Sequence, residues 1–436
     1  MRAARTIRSM LPMGLSYLAS GGSLITSSAA QLLTFAILAR SLGVEEFSYF
    51  VGLTAITAVA VQLCGLGAQE ALVRRVARDR SLFASMLGHN IIMSAATGAV
   101  LVALGLLALP AFFTLSADPW LNLGAIALYL LANIILTRVI LFVEQAFIAH
   151  SMFAAANRNV VLYAGGRLLA AIAGCLVFGV DSLAEWAVWN FAAHVVIATI
   201  SVASIRGLGR PQFCIMRDEL RNGVLFCTPF VLRALRQNID LLLLTAFTSA
   251  ETVASYGVAR RMVDSGYLSV EALNRLLYPG SAAATMGGLR HGMARFRKAF
   301  LASLGISMFT ALILFIAAPL LPLLFGSEYV SLTSFARIVA FTIVLMAVYS
   351  TALEALGASG HQLQRAMVLN SAAVAGGAVV AFATWRFGIN GTFVASYVVE
   401  AATAGFAWFM LLHLARMQEK SAPAPAAQAI EEPALP

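Results

Sequence analysis

The chain has 436 residues, 60% hydrophobic and 11% charged, with a mean hydropathy of +0.86. A soluble domain carries about a quarter charged residues, so this composition excludes a water-facing surface over most of the chain. The net charge of +9 sits in short basic clusters between apolar stretches, the pattern of cytoplasmic loops in a polytopic membrane protein and not of a nucleic-acid surface.

At about 1.5 Å per residue a bilayer core needs roughly 20 apolar residues. Twelve stretches meet that need: 15–39, 46–68, 88–113, 119–142, 159–179, 183–205, 223–247, 252–279, 299–325, 333–357, 366–386 and 389–415. The first follows Arg2, Arg5 and Arg8 and is long enough to span, so it reads as a retained signal anchor. With the N-terminus inside, the cytoplasmic segments collect nineteen basic residues, from Arg2 through Arg74, Arg75, Arg206, Arg217, Arg295 and Lys298 to Lys420. The outer side has Arg40 and Arg386, with Arg337 near its rim, and its turns carry Glu45, Glu46, Asp118, Asp181, Glu185, Glu251 and Glu328. Both termini are therefore predicted to be cytoplasmic. No loop is long enough to form a domain, so the activity lies within the membrane. Residues 416–436, rich in Ala and Pro, read as a disordered cytoplasmic tail.

A weak internal repeat divides the spans into 1–213 and 214–415. In the first half Leu38-Ala-Arg-Ser-Leu-Gly-Val-Glu-Glu-Phe-Ser-Tyr49 joins two long apolar segments through an acidic turn; in the second, Leu244-Thr-Ala-Phe-Thr-Ser-Ala-Glu-Thr-Val-Ala-Ser-Tyr256 does the same. Six plus six helices is the arrangement of a transporter with two similar halves and a central site.

At these residues the chain resembles the oligosaccharide flippases of bacterial polysaccharide synthesis, in the multidrug/oligosaccharidyl-lipid/polysaccharide (MOP) exporter superfamily. The phrase from Leu38 to Phe47 looks like that family's first external turn. Asn238-Ile-Asp-Leu-Leu-Leu-Leu and Ser255-Tyr-Gly-Val-Ala-Arg-Arg261 are similar to the start of its second half. The resemblance implies an all-α fold of two six-helix bundles in a V that opens alternately to each side of the bacterial inner membrane. It implies an undecaprenyl-diphosphate-linked glycan as cargo, for exopolysaccharide, capsule or O-antigen synthesis, with a polysaccharide polymerase and chain-length proteins as partners. The lipid II flippases of the superfamily usually have fourteen helices, so twelve speak against a peptidoglycan role.

Charge is crowded in the seventh and eighth predicted spans, which hold Arg233, Arg236, Asp240, Arg260, Arg261, Asp264, Glu271 and Arg275. An arginine at the centre of a spanning helix costs roughly 2.5 to 3.5 kcal/mol, so such a cluster faces protein, water or a ligand. Arg233, Arg236 and Asp240 are three and four residues apart and share a stripe, as do Arg260, Asp264, Glu271 and Arg275. Antiparallel packing sets Arg233 and Arg236 at the depth of Arg260 and Arg261. Guanidinium groups there suit a diphosphate, whose oxygens they hold bidentately; the competing reading is ion pairing of Arg236 with Asp240 and of Arg260 with Asp264. Arg167 in the fifth span is a further substrate-binding candidate or a side chain reaching the interface. Arg138 and Glu144, near the inner end of the fourth span, read as a pair or as side chains that reach headgroups. Glu354 and Glu400 have no local cation partner, so each serves ion coupling, by H⁺ or Na⁺, or stays protonated and bonds a neighbouring helix. Pro229, four residues before Arg233, removes a backbone hydrogen bond and predicts a hinge.

There is no G-x-x-x-x-G-K-[ST] and no H-E-x-x-H, and Cys64, Cys175, Cys214 and Cys227 form no C-x-x-C, so neither an ATPase, a metal site nor a disulfide framework is indicated. A polymerase or ligase would need a large external loop, and none is present. A cation-coupled drug exporter of the same superfamily would need an acid-dominated cavity, whereas arginines dominate the seventh and eighth spans.

Overall fold

The computed structural model describes residues 2–285 and 289–421. The described residues form helices and no strand, in the order α1 (Arg2–Leu63), α2 (Ala68–Val76), α3 (Phe83–Ala108), α4 (Pro119–Leu130), α5 (Thr137–Ala149), α6 (Phe153–Ala171) and α7 (Leu183–Ser204). The second half continues with α8 (Arg217–Phe247), α9 (Ala250–Ala284), α10 (Leu289–Ala317), α11 (Leu321–Phe325), α12 (Leu332–Ala340), α13 (Thr342–Ala358), α14 (Gln362–Ser371) and α15 (Gly377–Ser421). Eight helical stretches among the described residues are long and apolar enough to cross a membrane.

Several boundaries differ from the sequence reading for local reasons. The predicted spans 15–39 and 46–68 are two arms of α1 that part at Gly43, where φ is 70° and ψ 174°. A side chain at Gly43 would meet nothing within 4 Å, so glycine is needed for its backbone angle and not for space. Gly388, with φ 59° and ψ −142°, parts α15 in the same way. The second arm of α1 ends at Leu63, after which Gly65 and Gly67 adopt positive φ and the short helix α2 begins. π-helical turns at Leu131–Leu136, Ile172–Val177 and Ala372–Gly376 join or end helices that the hydropathy reads as unbroken. The predicted tail is helical as far as Ser421, and the rest of it lies outside the described residues.

Packing is uneven from end to end. At the end bearing the acidic turns one apolar core takes in both halves, including Leu38, Phe47, Phe50, Trp186, Tyr256, Phe325 and Tyr329. At the basic end the cores are separate: one around Leu72, Met86 and Phe147, another around Phe296, Leu356 and Leu411. The two halves thus share one apolar core at the acidic end and have separate apolar cores at the basic one, where α8 still meets α2. Helix α1 is the common element, packing on α6 in its own half and on α8 and α9 in the other.

Candidate functional site

Helices α8 and α9 run antiparallel, and α15 lies against α8. Between them Asp240, 1% exposed, accepts a hydrogen bond from Tyr256 Oη at 2.7 Å and pairs with Arg260. Arg236 Nη2 donates to Glu400 Oε1 at 2.8 Å. These groups, with Gln237, Asp264 and Tyr349, line a cavity of about 90 Å³. That volume holds a few waters or an ion and is far below the roughly 300 to 1,000 Å³ of a drug-sized ligand pocket.

The pairing differs from the helical-stripe reading. Arg260 takes Asp240 of the neighbouring helix and not Asp264; Arg236 takes Glu400, 164 residues away in sequence, and not Asp240. An i,i+4 pair on an exposed helix face stabilises by only a few tenths of a kcal/mol, so a desolvated partner across the helix interface prevails. Glu400 and Glu354, without a local cation partner in the sequence, pair with Arg236 at 2.8 Å and Arg365 at 3.2 Å in the fold. The cavity therefore has two arginines against three carboxylates, an acidic excess of one, where a cationic surface was expected.

The remaining sequence candidates lie around this cavity. Arg233 is exposed on α8, beyond the cavity wall, and acts electrostatically on Tyr267 and Tyr349. Arg261 turns towards α1, where it hydrogen-bonds Gln31 Oε1. Arg167 on α6 lies over the Tyr163 ring, 5.7 Å from its centroid, and is close enough to Arg261 for the two charges to act on one another. Each of these two has a buried Nε with no partner, and no ion pair among the described residues holds either. Pro229 lies inside α8 without ending it. The side chain of Arg275 lies outside the described residues, and Glu271 lies on α9 beyond the cavity.

Several charged groups were not anticipated. Glu219, with a fully buried side chain, bridges Arg74 at 2.8 Å and Arg75, tying the first turn of α8 to α2. Arg74 also sits over Phe226 at 4.8 Å. Gly67 and Gly223 pack backbone to backbone beside this bridge, leaving no room for a Cβ on either. Arg138, 2% exposed, is not paired with Glu144: its Nε and Nη2 have no partner among the described residues, and the carboxylate acting on it is Glu70. Tyr256 was recoverable in part, since it precedes Arg260 by one helical turn; Glu219 left no signal, because its partners are 144 and 145 residues away.

Comparison with solved structures gives the fold. An inward-facing multidrug resistance MATE family transporter of the MOP superfamily matches with a TM-score of 0.71 at 17% identity, covering 91% of this chain and 96% of that one. The outward-facing conformation of such a transporter matches at 0.65 and 16%, covering 93% and 96%. A MOP superfamily transporter from Pyrococcus furiosus, described as having a binding pocket of reverse polarity, matches at 0.64 and 15%, covering 92% and 96%. A search of curated proteins finds no match. The model of the family described as polysaccharide biosynthesis protein matches residues 14–279, more than half of the sequence. The chain is therefore a member of the polysaccharide biosynthesis protein family, with the fold of MOP superfamily transporters.

Proposed function

We propose that the protein is a flippase that carries an undecaprenyl-diphosphate-linked oligosaccharide across the bacterial inner membrane by alternating access, for exopolysaccharide, capsule or O-antigen synthesis. Twelve spans follow once the arms at Gly43 and Gly388 are counted separately and the charged helices α8 and α9 are added to the eight apolar stretches. They form two six-helix bundles, divided near residue 213, with both termini in the cytoplasm. The observation that carries the reading is the pair Arg167 and Arg261, facing one another's charge from the two halves, each with a buried unpartnered donor. A diphosphate supplies the acceptor oxygens that such guanidinium groups lack. Arg236 and Arg260 then hold carboxylates in the resting site, with Asp240 and Asp264 orienting them and Arg233 at the rim. Spare negative charge in the cavity suits a coupling cation, H⁺ or Na⁺, exchanged through Glu400. A polysaccharide polymerase and chain-length proteins would receive the product.

Arg167→Ala and Arg261→Ala test this in a host that depends on the protein for its surface glycan. Each is expected to lower glycan export at least tenfold at unchanged protein level, about the effect of one lost charge-assisted contact. Wild-type export in both would refute the anionic-headgroup site.

The acidic excess of the cavity and the fold shared with MATE transporters favour a second reading, a cation-coupled drug exporter. It predicts efflux of a cationic dye such as ethidium that Asp240→Asn abolishes, with glycan export intact.

A further inference from the structure

The connector between α7 and α8, with the first turns of α8, presents a surface that neither transport reading uses. Ile205 closes the sixth predicted span and residue 223 opens the seventh, so this stretch lies at the membrane boundary of the basic end. From Gly209 to Met216 the chain forms no helix and lies across the first turns of α3. The Gln212 N–H donates to the Ala84 carbonyl at 2.9 Å, the Cys214 thiol to the Ser85 carbonyl at 3.7 Å and the Met216 N–H to His89 Nδ1 at 3.3 Å. The Gln212 backbone also comes so close to Gly88 that no Cβ would fit there. With alternate residues held on α3, those between them face outward, and Phe213 and Ile215 are 67% and 57% exposed.

Helix α8 then shows two faces. Glu219, Gly223 and Cys227, four apart, are buried, the first two against α2 and the turn before it. Arg217, Leu220, Arg221 and Val224, at the i, i+3, i+4, i+7 spacing of a single stripe, are all exposed, and so is Leu225 beside them. Arginine comes first along this stripe, and apolar side chains follow towards the membrane interior. Arg206 and Arg210 of the connector are exposed as well. Within residues 206–225 the exposed carboxylate is Asp218, since Glu219 is buried on Arg74 and Arg75. Four arginines thus stand against one exposed carboxylate, and none of the four has a hydrogen bond or an ion pair among the described residues.

Unpaired arginines at a membrane boundary, with apolar side chains directly beyond them, match the two-part chemistry of a lipid with an anionic headgroup. We propose that Arg217 and Arg221 seat the phosphate of an anionic phospholipid from the leaflet at the basic end, with its acyl chains along Val224 and Leu225. Guanidinium groups hold phosphate oxygens bidentately, and Phe213 and Ile215 enter the boundary between headgroups and chains. A soluble anion would use the arginines and leave the apolar half of the stripe without a partner. The seat lies on the turns of α8 that Glu219 and Gly223 fix to the first half, so a bound lipid strengthens that anchor. It does not depend on what the protein carries.

The test uses the purified full-length protein in dodecyl maltoside, freed of lipid and titrated with dioleoylphosphatidylglycerol or dioleoylphosphatidylcholine, with bound lipid counted by native mass spectrometry. Phosphatidylglycerol is expected to bind at least about tenfold more tightly than the zwitterionic lipid with the same chains. Arg217→Gln and Arg221→Gln are each expected to weaken its binding about fivefold, and the two together more than about tenfold. Equal binding of the two lipids, or a preference that the double variant keeps, overturns the seat. In thermal unfolding, phosphatidylglycerol is expected to raise the Tm of the wild type and not of the double variant; an equal rise in both overturns the seat as well. Should the double variant not fold, the single variants are read in its place. Glycerol phosphate, the headgroup without chains, is expected not to displace the lipid; displacement would show a site for a free anion and overturn the lipid assignment. Undecaprenyl diphosphate binding there more tightly than phosphatidylglycerol would make the seat a station for the proposed cargo and overturn its assignment to bulk phospholipid.

Discussion

Asp240 is where the charges of the second half close. It is buried, accepts from Tyr256 and neutralises Arg260. Removing one member of a buried pair costs more than removing both, because a stranded charge remains. Asp240→Leu is therefore expected to destabilise the protein by about 3 to 5 kcal/mol, and Asp240→Leu combined with Arg260→Leu by less than Asp240→Leu alone. Thermal unfolding in detergent reads both, and a double variant less stable than Asp240→Leu would refute the pairing. The sequence made Asp240, Arg260 and Arg236 visible as charges in an apolar stretch, which is a local property. Their partners were not legible: spacing along one helix nominates neighbours four residues apart, while the groups that desolvate them come from α9 and α15.

At the scale of elements, α8 belongs to both halves. Its first turns are fixed on α2 by Glu219 and by the close approach of Gly67 and Gly223, and beyond Pro229 it is fixed on α15 through Arg236 and Glu400. Any movement of one half against the other must be taken up between these two anchors, where Pro229 has already removed a backbone hydrogen bond. Pro229→Ala is expected to restore that bond and to slow glycan export severalfold while leaving protein level unchanged. Export at the wild-type rate would remove the hinge. The proline was legible in sequence and so was the possibility of a bend; the anchors on either side of it were not, since each depends on a residue more than 100 positions away.

For the whole molecule, one apolar core takes in both halves at the acidic end, whereas separate apolar cores lie at the basic end. The acidic end is closed by contacts between halves, among them the Tyr329 hydroxyl donating to the Ala39 carbonyl at 2.6 Å and the edge-on packing of Tyr329 against Phe47. Tyr329→Phe keeps the ring and deletes the hydrogen bond, worth about 1 kcal/mol. It is expected to shift the population about fivefold towards opening at that end. Labelling of a cysteine introduced at Gln237, in the cavity wall, by a membrane-impermeant maleimide from the outer side measures this; an unchanged rate would show that Tyr329 does not hold the closed end.

By itself the sequence determined the membrane-spanning all-helical class, the basic and acidic ends, and the crowding of charge on α8 and α9. These follow from composition and from hydropathy over about 20 residues, both of which act locally. Tertiary structure alone decided that Arg236 pairs with Glu400 and Arg260 with Asp240, and that no ion pair among the described residues holds Arg167 or Arg261. An ion pair is settled by which helices meet and at what depth, and a chain of apolar helices carries little of that in its order of residues.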